Sequence, residues 1–265
     1  MKKVLFLLSI LLIIASCGED IEGCLDPEAT NFDPSADATC CCEYPQLIFR
    51  ISYDNYVGDS SAFALNRVYS DVDGTPYYVN DLGMYLSDFE LVRANNSVET
   101  VLDTIEVTLQ GGTLTTLQDD FIILQNNVFR YAIGTTNISG DFSKIRFKIG
   151  LNQIASQVNP ESVEATHPLS ADKNLYENDT YINNQIAIIA DTSAIDMITN
   201  YNIIDNTISV ELNHNFTVNS GFDTEIKINA DLKKLLDTVD FQNDDYDAII
   251  SKILTNTSDI FTIVE

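Results

Sequence analysis

The 265-residue chain has no tryptophan and very few basic side chains. It contains two histidines and 14 lysine and arginine residues, against 40 aspartate and glutamate residues, for a formal net charge of −26. Nucleic acids and anionic lipid headgroups both need a basic face, so this balance argues against both as ligands and permits cations. Hydrophobic residues still make up 45% of the chain, which is enough for a folded core and argues against disorder.

The sequence motifs of common enzyme classes are also missing. The chain has no Gly-x-Ser-x-Gly elbow, no phosphate-binding loop and no metalloprotease helix motif. Paired carboxylates are abundant in so acidic a chain, so no pair stands out as a general acid and base. We therefore expect a protein that is not an enzyme.

The only long hydrophobic run lies at the N-terminus. Lys2 and Lys3 precede an uncharged run from Val4 to Ile14. This run is too short to span a bilayer as a helix, and its basic start is typical of a signal peptide. The chain is therefore expected to leave the cytoplasm.

A lipid attachment motif follows this run. Ile14-Ala15-Ser16-Cys17 resembles the lipobox of bacterial lipoproteins. The resemblance implies a signal peptide over residues 1–16 and lipidation of Cys17, whose several acyl chains would hold the protein firmly in a membrane. The acidic tether 17–22 includes Gly18-Glu19-Asp20, which resembles the surface-export signal of Bacteroidetes lipoproteins and implies exposure on the outer membrane. An ordinary secretory peptide, with Cys17 in a disulfide, is the alternative.

The other cysteines lie together, at positions 24, 40, 41 and 42. Residues 23–44 resemble a Cys-bounded module of Bacteroidetes surface proteins, of the form Gly-Cys-x-Asp-Pro with a final Cys-x-Tyr. Cys42-Glu43-Tyr44 fits the end of that module best, so the resemblance implies a Cys24–Cys42 disulfide. Adjacent cysteines rarely bond to each other, because a disulfide separates its two Cα atoms by roughly 5.5 Å. The pairing of Cys40 and Cys41 stays open.

The acidic residues of this module allow two interpretations. Asp26, Asp33 and Asp37 could bind calcium through their carboxylate oxygens. Alternatively, Asp-Pro and Asn-x-Asp-Pro sequences set turns, and this interpretation is favoured. The clustered cysteines could likewise bind a soft metal, but disulfides are favoured outside the cell.

Residues 46–265 are predicted to form one mainly β domain. The run from Tyr77 to Val92 is dense in aromatic and aliphatic residues and predicts a long strand. Its apolar phase slips once, which predicts a β-bulge at Ser87-Asp88. Alternation of period two also predicts strands at Leu47–Tyr53, Ile145–Leu151 and Ile208–Phe216.

Two helical patterns close the chain. Leu232, Leu235, Leu236 and Val239 form a short amphipathic turn, and the run from Tyr246 to Leu254 has the same spacing after a cap candidate at Asn243-Asp244. Residues 152–182 form a long polar stretch of irregular pattern, which in a compact domain is usually functional or flexible. Together these patterns predict an antiparallel two-sheet sandwich with a short helix and a C-terminal helix.

The order of the segments resembles the MbnP-like family of bacterial envelope proteins. An Asp-Gly turn, Tyr77-Tyr78 and the run from Met84 to Leu91 are similar to one core strand of that family. The run from Ile145 to Asn152 resembles its strand ending in Ile-Gly, and the run from Ile226 to Leu232 resembles its late strand and helix start. The resemblance covers residues 46–265 and implies a β-sandwich in a family in which some members bind copper.

The chain departs from the family where copper would bind. The resemblance implies a tryptophan-rich segment at about Asp172 to Tyr181, with a modified tryptophan and histidine ligands in the copper-binding members. Tyr181 matches the family tyrosine, but no tryptophan is present. The family's copper chemistry is therefore not carried over to any residue here.

His167 and His214 are the only imidazoles that remain. Together with a carboxylate they could bind Cu(II) or Zn(II), if the fold brought them together. Otherwise His214 is a partly packed strand residue and His167 an exposed loop residue. No cofactor is firmly implied, although copper and calcium remain candidates.

Two functions follow from this sequence. One is a cell-envelope binding lipoprotein that has kept the family sandwich and lost its metal site. The alternative is a surface adhesion or protein-interaction lipoprotein. Its expected partners are the membrane, through the N-terminal lipid, and a surface partner or metal ion.

Overall fold

The computed structural model describes residues 20–53, 63–125, 127–190 and 197–264. The predicted signal peptide, residues 1–16, and Cys17 lie outside the described residues. Within these ranges no helix is long and apolar enough to cross a membrane.

Strands are the main regular structure of the described chain. The eighteen strands are β1 (Glu22–Gly23), β2 (Ala38–Thr39), β3 (Gln46–Ser52), β4 (Val68–Ser70), β5 (Pro76–Val92), β6 (Val98–Glu99), β7 (Thr104–Thr108), β8 (Leu114–Gln118), β9 (Ile122–Leu124), β10 (Arg130–Thr135), β11 (Gly140–Ile149), β12 (Tyr176–Glu177), β13 (Thr180–Tyr181), β14 (Asn184–Ile189), β15 (Thr199–Ile203), β16 (Ile208–Val218), β17 (Thr224–Ala230) and β18 (Phe261–Ile263). The one described α-helix is α1 (Tyr246–Thr257), and short 3-10 helices cover Ala155–Gln157, Pro160–Ser162, Ala171–Lys173 and Leu232–Leu236.

The larger sheet has eight strands and is organised around β5, which is 17 residues long. Strand β14 pairs with residues 78–84 of β5, and β11 pairs with residues 86–92. Strand β15 extends the sheet beyond β14, and β16 extends it beyond β11. The predicted long strand is therefore the central strand of the larger sheet.

The predicted bulge in this strand is confirmed. Opposite β11, the register moves from Arg146↔Glu90 to Lys148↔Ser87, so two residues of β5 face one residue of β11. Asp88 lies at this point with φ of 53°. Aspartate tolerates this left-handed conformation better than most residues do, and a bulge of this kind bends and twists the strand locally.

The smaller sheet has the strand order β10-β3-β17-β18. Strands β3 and β17 run parallel, with Phe49 paired to Ile226. The predicted mainly β sandwich is confirmed, but this one pair departs from a purely antiparallel arrangement. A parallel pair needs a long connection, and here nearly the whole domain lies between its two strands.

The main core fills the space between the two sheets. Phe49 of the smaller sheet meets Phe89 and Phe147 of the larger sheet edge to face, with ring centroids 5.1 and 5.7 Å apart. Phe147 also contacts Phe261 of β18 at 5.2 Å. These contacts identify the fold as a sandwich, with alternate strand residues pointing inward.

The two predicted helical patterns are present at the end of the chain. Leu232, Leu235 and Leu236 are buried in a 3-10 helix, and α1 buries Ile249 and Ile253. The N-cap of α1 is Asp245, whose carboxylate accepts a hydrogen bond from the Ala248 N–H at 2.9 Å. The cap therefore lies one residue later than the predicted pair, because Asp244 instead accepts from Lys252 Nζ at 2.6 Å.

Candidate functional site

The Cys-bounded module contains a disulfide between Cys24 and Cys42, with Cα atoms 4.9 Å apart, and free thiols at Cys40 and Cys41. The first aspartate of the module is used by the module's own turns. Asp26 accepts from the Glu28 N–H at 3.0 Å and from the Tyr44 hydroxyl at 2.8 Å.

The second acidic turn of the module is built in the same way. Asp33 accepts from the N–H and hydroxyl of Ser35, at 2.9 and 2.6 Å, and Asp37 accepts from the Ile21 N–H at 3.4 Å. This network favours the turn interpretation of the three aspartates over calcium binding.

The module packs against one end of the sandwich. The Ser139 hydroxyl donates to Glu28 Oε1 at 2.8 Å, and the Ser220 hydroxyl donates to the Pro27 carbonyl. Both serines lie in connections between strands of the larger domain. The module is therefore in contact with the domain.

His167 lies in the 3-10-rich segment and has both ring nitrogens engaged. Its Nε2 is 2.9 Å from Asp119 Oδ1, and its Nδ1 accepts from the Leu169 N–H at 3.1 Å. The ring also contacts Phe121 edge to face, with centroids 6.2 Å apart. A metal could bind this imidazole only by displacing one of these bonds, so the geometry favours a structural role.

His214 lies on β16, in different surroundings. It is half-buried and stacks on Phe216, with ring centroids 5.7 Å apart. Across the described ranges, no group of three or more His, Cys, Asp or Glu side chains is arranged to hold a metal ion. Within those ranges, the two histidines therefore do not form a metal site with a carboxylate.

The long irregular stretch 152–182 packs its apolar residues against the outer face of the larger sheet. Together with residues from β5 and the β7–β8 hairpin it forms a second core, made of Tyr85, Val107, Leu117, Phe121, Leu151, Ala155, Val158, Leu169, Leu175, Tyr181 and Ile182. We call residues 152–182 the cover segment. Of the two alternatives for this stretch, functional or flexible, its packing argues against a flexible loop.

Close contacts and hydroxyl bonds hold the cover segment in place. Leu175 lies against Gly83 of β5, where a Cβ atom would come within 3.2 Å of the leucine. Tyr85 and Tyr181 donate their hydroxyls to the carbonyls of Pro168 and Leu169, at 2.9 and 2.7 Å. Apolar packing thus occupies the position where the resemblance placed metal chemistry.

A groove of about 510 Å³ lies on the sheet beside this second core. Its floor is formed by β5, β11 and β16. One wall comes from Thr100 before β7, Gln118 at the end of β8 and Asp120 just after it. We call it the β11 groove. Its polar lining residues are Asp88, Glu90, Thr100, Gln118, Asp120, Arg146, Lys148, Ser209 and Glu211.

The cations in the groove are already paired. Arg146 Nε donates to Glu211 at 2.7 Å and its NH1 is 3.5 Å from Glu90, while Lys148 donates to Asp88 at 2.7 Å. Arg146 and Lys148 therefore neutralise carboxylates within the groove itself. The hydrogen bonds from Lys144 and Arg146 lower the pKa of Glu211.

Asp120 is the unusual group in this groove. Only 1% of its surface is exposed, and its Oδ1 is buried without a hydrogen-bond partner. Its Oδ2 accepts from the Phe89 N–H at 2.6 Å. Burial raises the pKa of Asp120 to about 6, and the charge of neighbouring Asp88 adds to the rise. The backbone N–H groups of Phe89, Asp88 and Asp120 act in the opposite direction, with Phe89 the largest of the three.

The sheet explains why Asp120 meets Phe89. Strand β9 pairs with residues 84–86 of β5 and β6 pairs with residues 91–92. Leu86 and Leu91 each also pair with β11, so β6 and β9 lie on the opposite edge of β5. Between them the Asp120 carboxylate occupies the edge of the bulged strand.

Sequence reasoning did not single out Asp120. Its one local signal is its position directly before the buried Phe121 and Ile122, in a chain where most carboxylates are exposed. Arg146 and Lys148 stand out in the sequence because basic residues are rare in this chain. Alternation of period two places Arg146 on the outer face of its strand. It does not predict which carboxylates of the neighbouring strands will pair with it.

Comparison with known proteins gives one family. The model of the MbnP family matches residues 47–253, which is most of the chain. Among solved structures, MbnP from Methylosinus trichosporium is similar, at 12% sequence identity and a TM-score of 0.42, with 75% of this chain and 79% of that chain covered. No curated protein matches the chain.

Proposed function

Because this chain belongs to the MbnP family, we propose that it is a cell-envelope lipoprotein whose domain binds a ligand without catalysis and without a copper site of the family type. The single observation that carries this proposal is the β11 groove, with the buried, half-partnered carboxylate of Asp120 in its wall. A site of this kind, concave and with few convergent polar groups, is typical of ligand binding.

The copper part of the proposal rests on the ligands that are left. Imidazole is the usual ligand for Cu(II), and His167 already uses both ring nitrogens within the protein. Leu175 and Tyr181 pack in the second core, within the stretch where the resemblance implies the family's tryptophan-rich segment. What remains is a set of carboxylates that suits weak binding of hard cations.

A copper titration tests this proposal. Calorimetry with Cu(II) and Cu(I) on the wild type is expected to give an affinity no tighter than micromolar, on the order of −8 kcal/mol. The matched variant is His167→Ala/His214→Ala, which should bind no differently. A stoichiometric nanomolar site lost in the double variant would restore a copper function.

The location is proposed on the lipobox alone. Cys17 is the expected lipidation site, and the protein should fractionate with the outer membrane. Cys17→Ser should abolish incorporation of labelled fatty acid and release the protein from the membrane fraction. Unchanged processing and membrane association of this variant would overturn the lipoprotein assignment.

A further inference from the structure

The β11 groove points to a particular kind of ligand, and this inference rests on the binding function proposed above. We propose that the groove binds a primary ammonium group, carried by a small amine or by a lysine side chain, which donates a hydrogen bond to Asp120 Oδ1.

The charge of the groove favours a cation. Four carboxylates line it, from Asp88, Glu90, Asp120 and Glu211, against the two cations Arg146 and Lys148. Both cations are already paired with these carboxylates. An anionic ligand would have to break those pairs. A cationic ligand would instead pair with carboxylates that outnumber the two cations. The net charge of −26 adds a long-range attraction for cations.

The buried carboxylate sets the position of the ligand. Oδ2 of Asp120 is held by the Phe89 N–H, which leaves Oδ1 as a fixed acceptor. A buried acceptor without a donor costs free energy, and a charge-assisted hydrogen bond would offset that cost. An ammonium group is a compact donor on a thin stem and can reach a single recessed oxygen, which suits it better than the broad guanidinium fork.

Other ligand classes fit the groove less well. A metal ion needs several oxygens at once, but both Asp88 oxygens are used, by Lys148 and by Asn152 at 2.8 Å, and no metal-type cluster lies in the described part of the chain. Sugars usually stack on an exposed aromatic face. The aromatic residues beneath this groove, Phe89 and Phe147, are each only 1% exposed.

Titration of the full chain in detergent solution tests the inference. The probes are 1,4-diaminobutane and the capped peptide Gly-Gly-Lys-Gly-Gly, with butanol and the norleucine peptide as uncharged controls. The amide resonance of Phe89 reports binding, because that N–H donates to Asp120. We expect the amine probes, and not the controls, to shift this resonance in a saturable way.

Asp120→Asn is the deciding variant, since its amide oxygen can still accept from the Phe89 N–H. It should weaken amine binding about tenfold or more, as expected for loss of a charged hydrogen-bond acceptor. Asp172→Asn removes the same charge at an exposed site outside the groove and should bind as the wild type does. Thermal unfolding confirms that both variants are folded.

The outcomes separate the two proposals. Tighter binding of the peptide assigns the ammonium to a protein partner, and tighter binding of the diamine assigns it to a small molecule. No saturable shift with either probe, or equal affinity in Asp120→Asn, would overturn the ammonium site and leave the proposed function standing. A nanomolar copper site would instead overturn the proposed function, whatever the amines do.

Discussion

The two faces of the larger sheet are covered in different ways. On the inner face, the main core is filled by strand residues of both sheets, with Phe49 packed edge to face on Phe89 and Phe147. On the outer face, the second core lies under an irregular cover segment, held by hydroxyl bonds from Tyr85 and Tyr181.

The difference shows that an irregular segment can also cover a sheet with a buried apolar layer. Strands place alternate side chains inward with no further help, because their pleat has period two. The cover segment has no such period, so side-chain donors satisfy its carbonyls and fix its path. We therefore expect truncation of a side chain to have different effects in the two cores. The loss in free energy of unfolding should differ, and so should the length of chain that opens.

The largest expected effect comes from the main core. Phe49→Ala should lower the free energy of unfolding by about 3–5 kcal/mol, because it leaves a cavity where two sheets meet. Leu169→Ala in the second core should cost less, since the cover segment can open locally without unfolding the sandwich. Denaturant unfolding of both variants measures the difference.

Hydrogen exchange sharpens this comparison. Leu169→Ala should speed exchange within residues 152–182 and leave β3 and β17 protected. If exchange rose equally in the smaller sheet, the two cores would unfold as one cooperative unit.

The next effect is at the boundary between the cores, where Phe121 belongs to the second core and Ile122 to the main core. Asp120 precedes both, and burial raises its pKa to about 6 from an ordinary value of 3.8. The native carboxyl therefore holds its proton more tightly than the unfolded one. Stability from this group is fully present below about pH 4 and is lost as the pH rises through 6.

Asp120→Asn should remove the loss of stability that comes from ionising the buried carboxyl. The variant is expected to gain up to about 3 kcal/mol over the wild type at pH 7.5, from roughly two pKa units, and almost nothing at pH 4. Unfolding curves at both pH values measure the gain, with Asp172→Asn as the matched change of charge. A gain that did not depend on pH would mean that the carboxylate is not destabilised by burial.

The smallest effect concerns a single hydroxyl. Tyr181→Phe removes the 2.7 Å hydrogen bond to the Leu169 carbonyl and leaves a buried acceptor unpaired, so it should cost about 1 kcal/mol. Tyr78→Phe, on a half-buried residue of β5 outside the second core, is the control and should be close to neutral. Equal losses in the two variants would show that the hydroxyl bond does not fix the cover segment.

Much of the fold could be predicted from local patterns. Local patterns predicted the long strand that spans Pro76 to Val92, its bulge at Asp88 and the helix from Tyr246. They could do so because apolar periodicity and turn chemistry act over a few neighbouring residues. The order of those patterns also indicated the MbnP family, which the match over residues 47–253 confirms.

The packing of the cover segment could not be predicted in this way. Residues 152–182 are polar and irregular, and this composition is shared by mobile loops and by packed ones. What decides between them is whether Leu175 finds Gly83 and whether Tyr181 finds Leu169. Such contacts depend on how the chain returns to the sheet.

By itself, the sequence determined the mainly β class, the excess of acidic charge and the absence of any tryptophan, since these follow from composition and from neighbouring residues. Only the tertiary structure decided the parallel pairing of β3 with β17 and the meeting of Asp120 with Phe89. The physical reason is that pairing partners and buried charges are fixed by contacts between distant segments. The pattern within each segment records which side chains are buried, but not which other segment buries them.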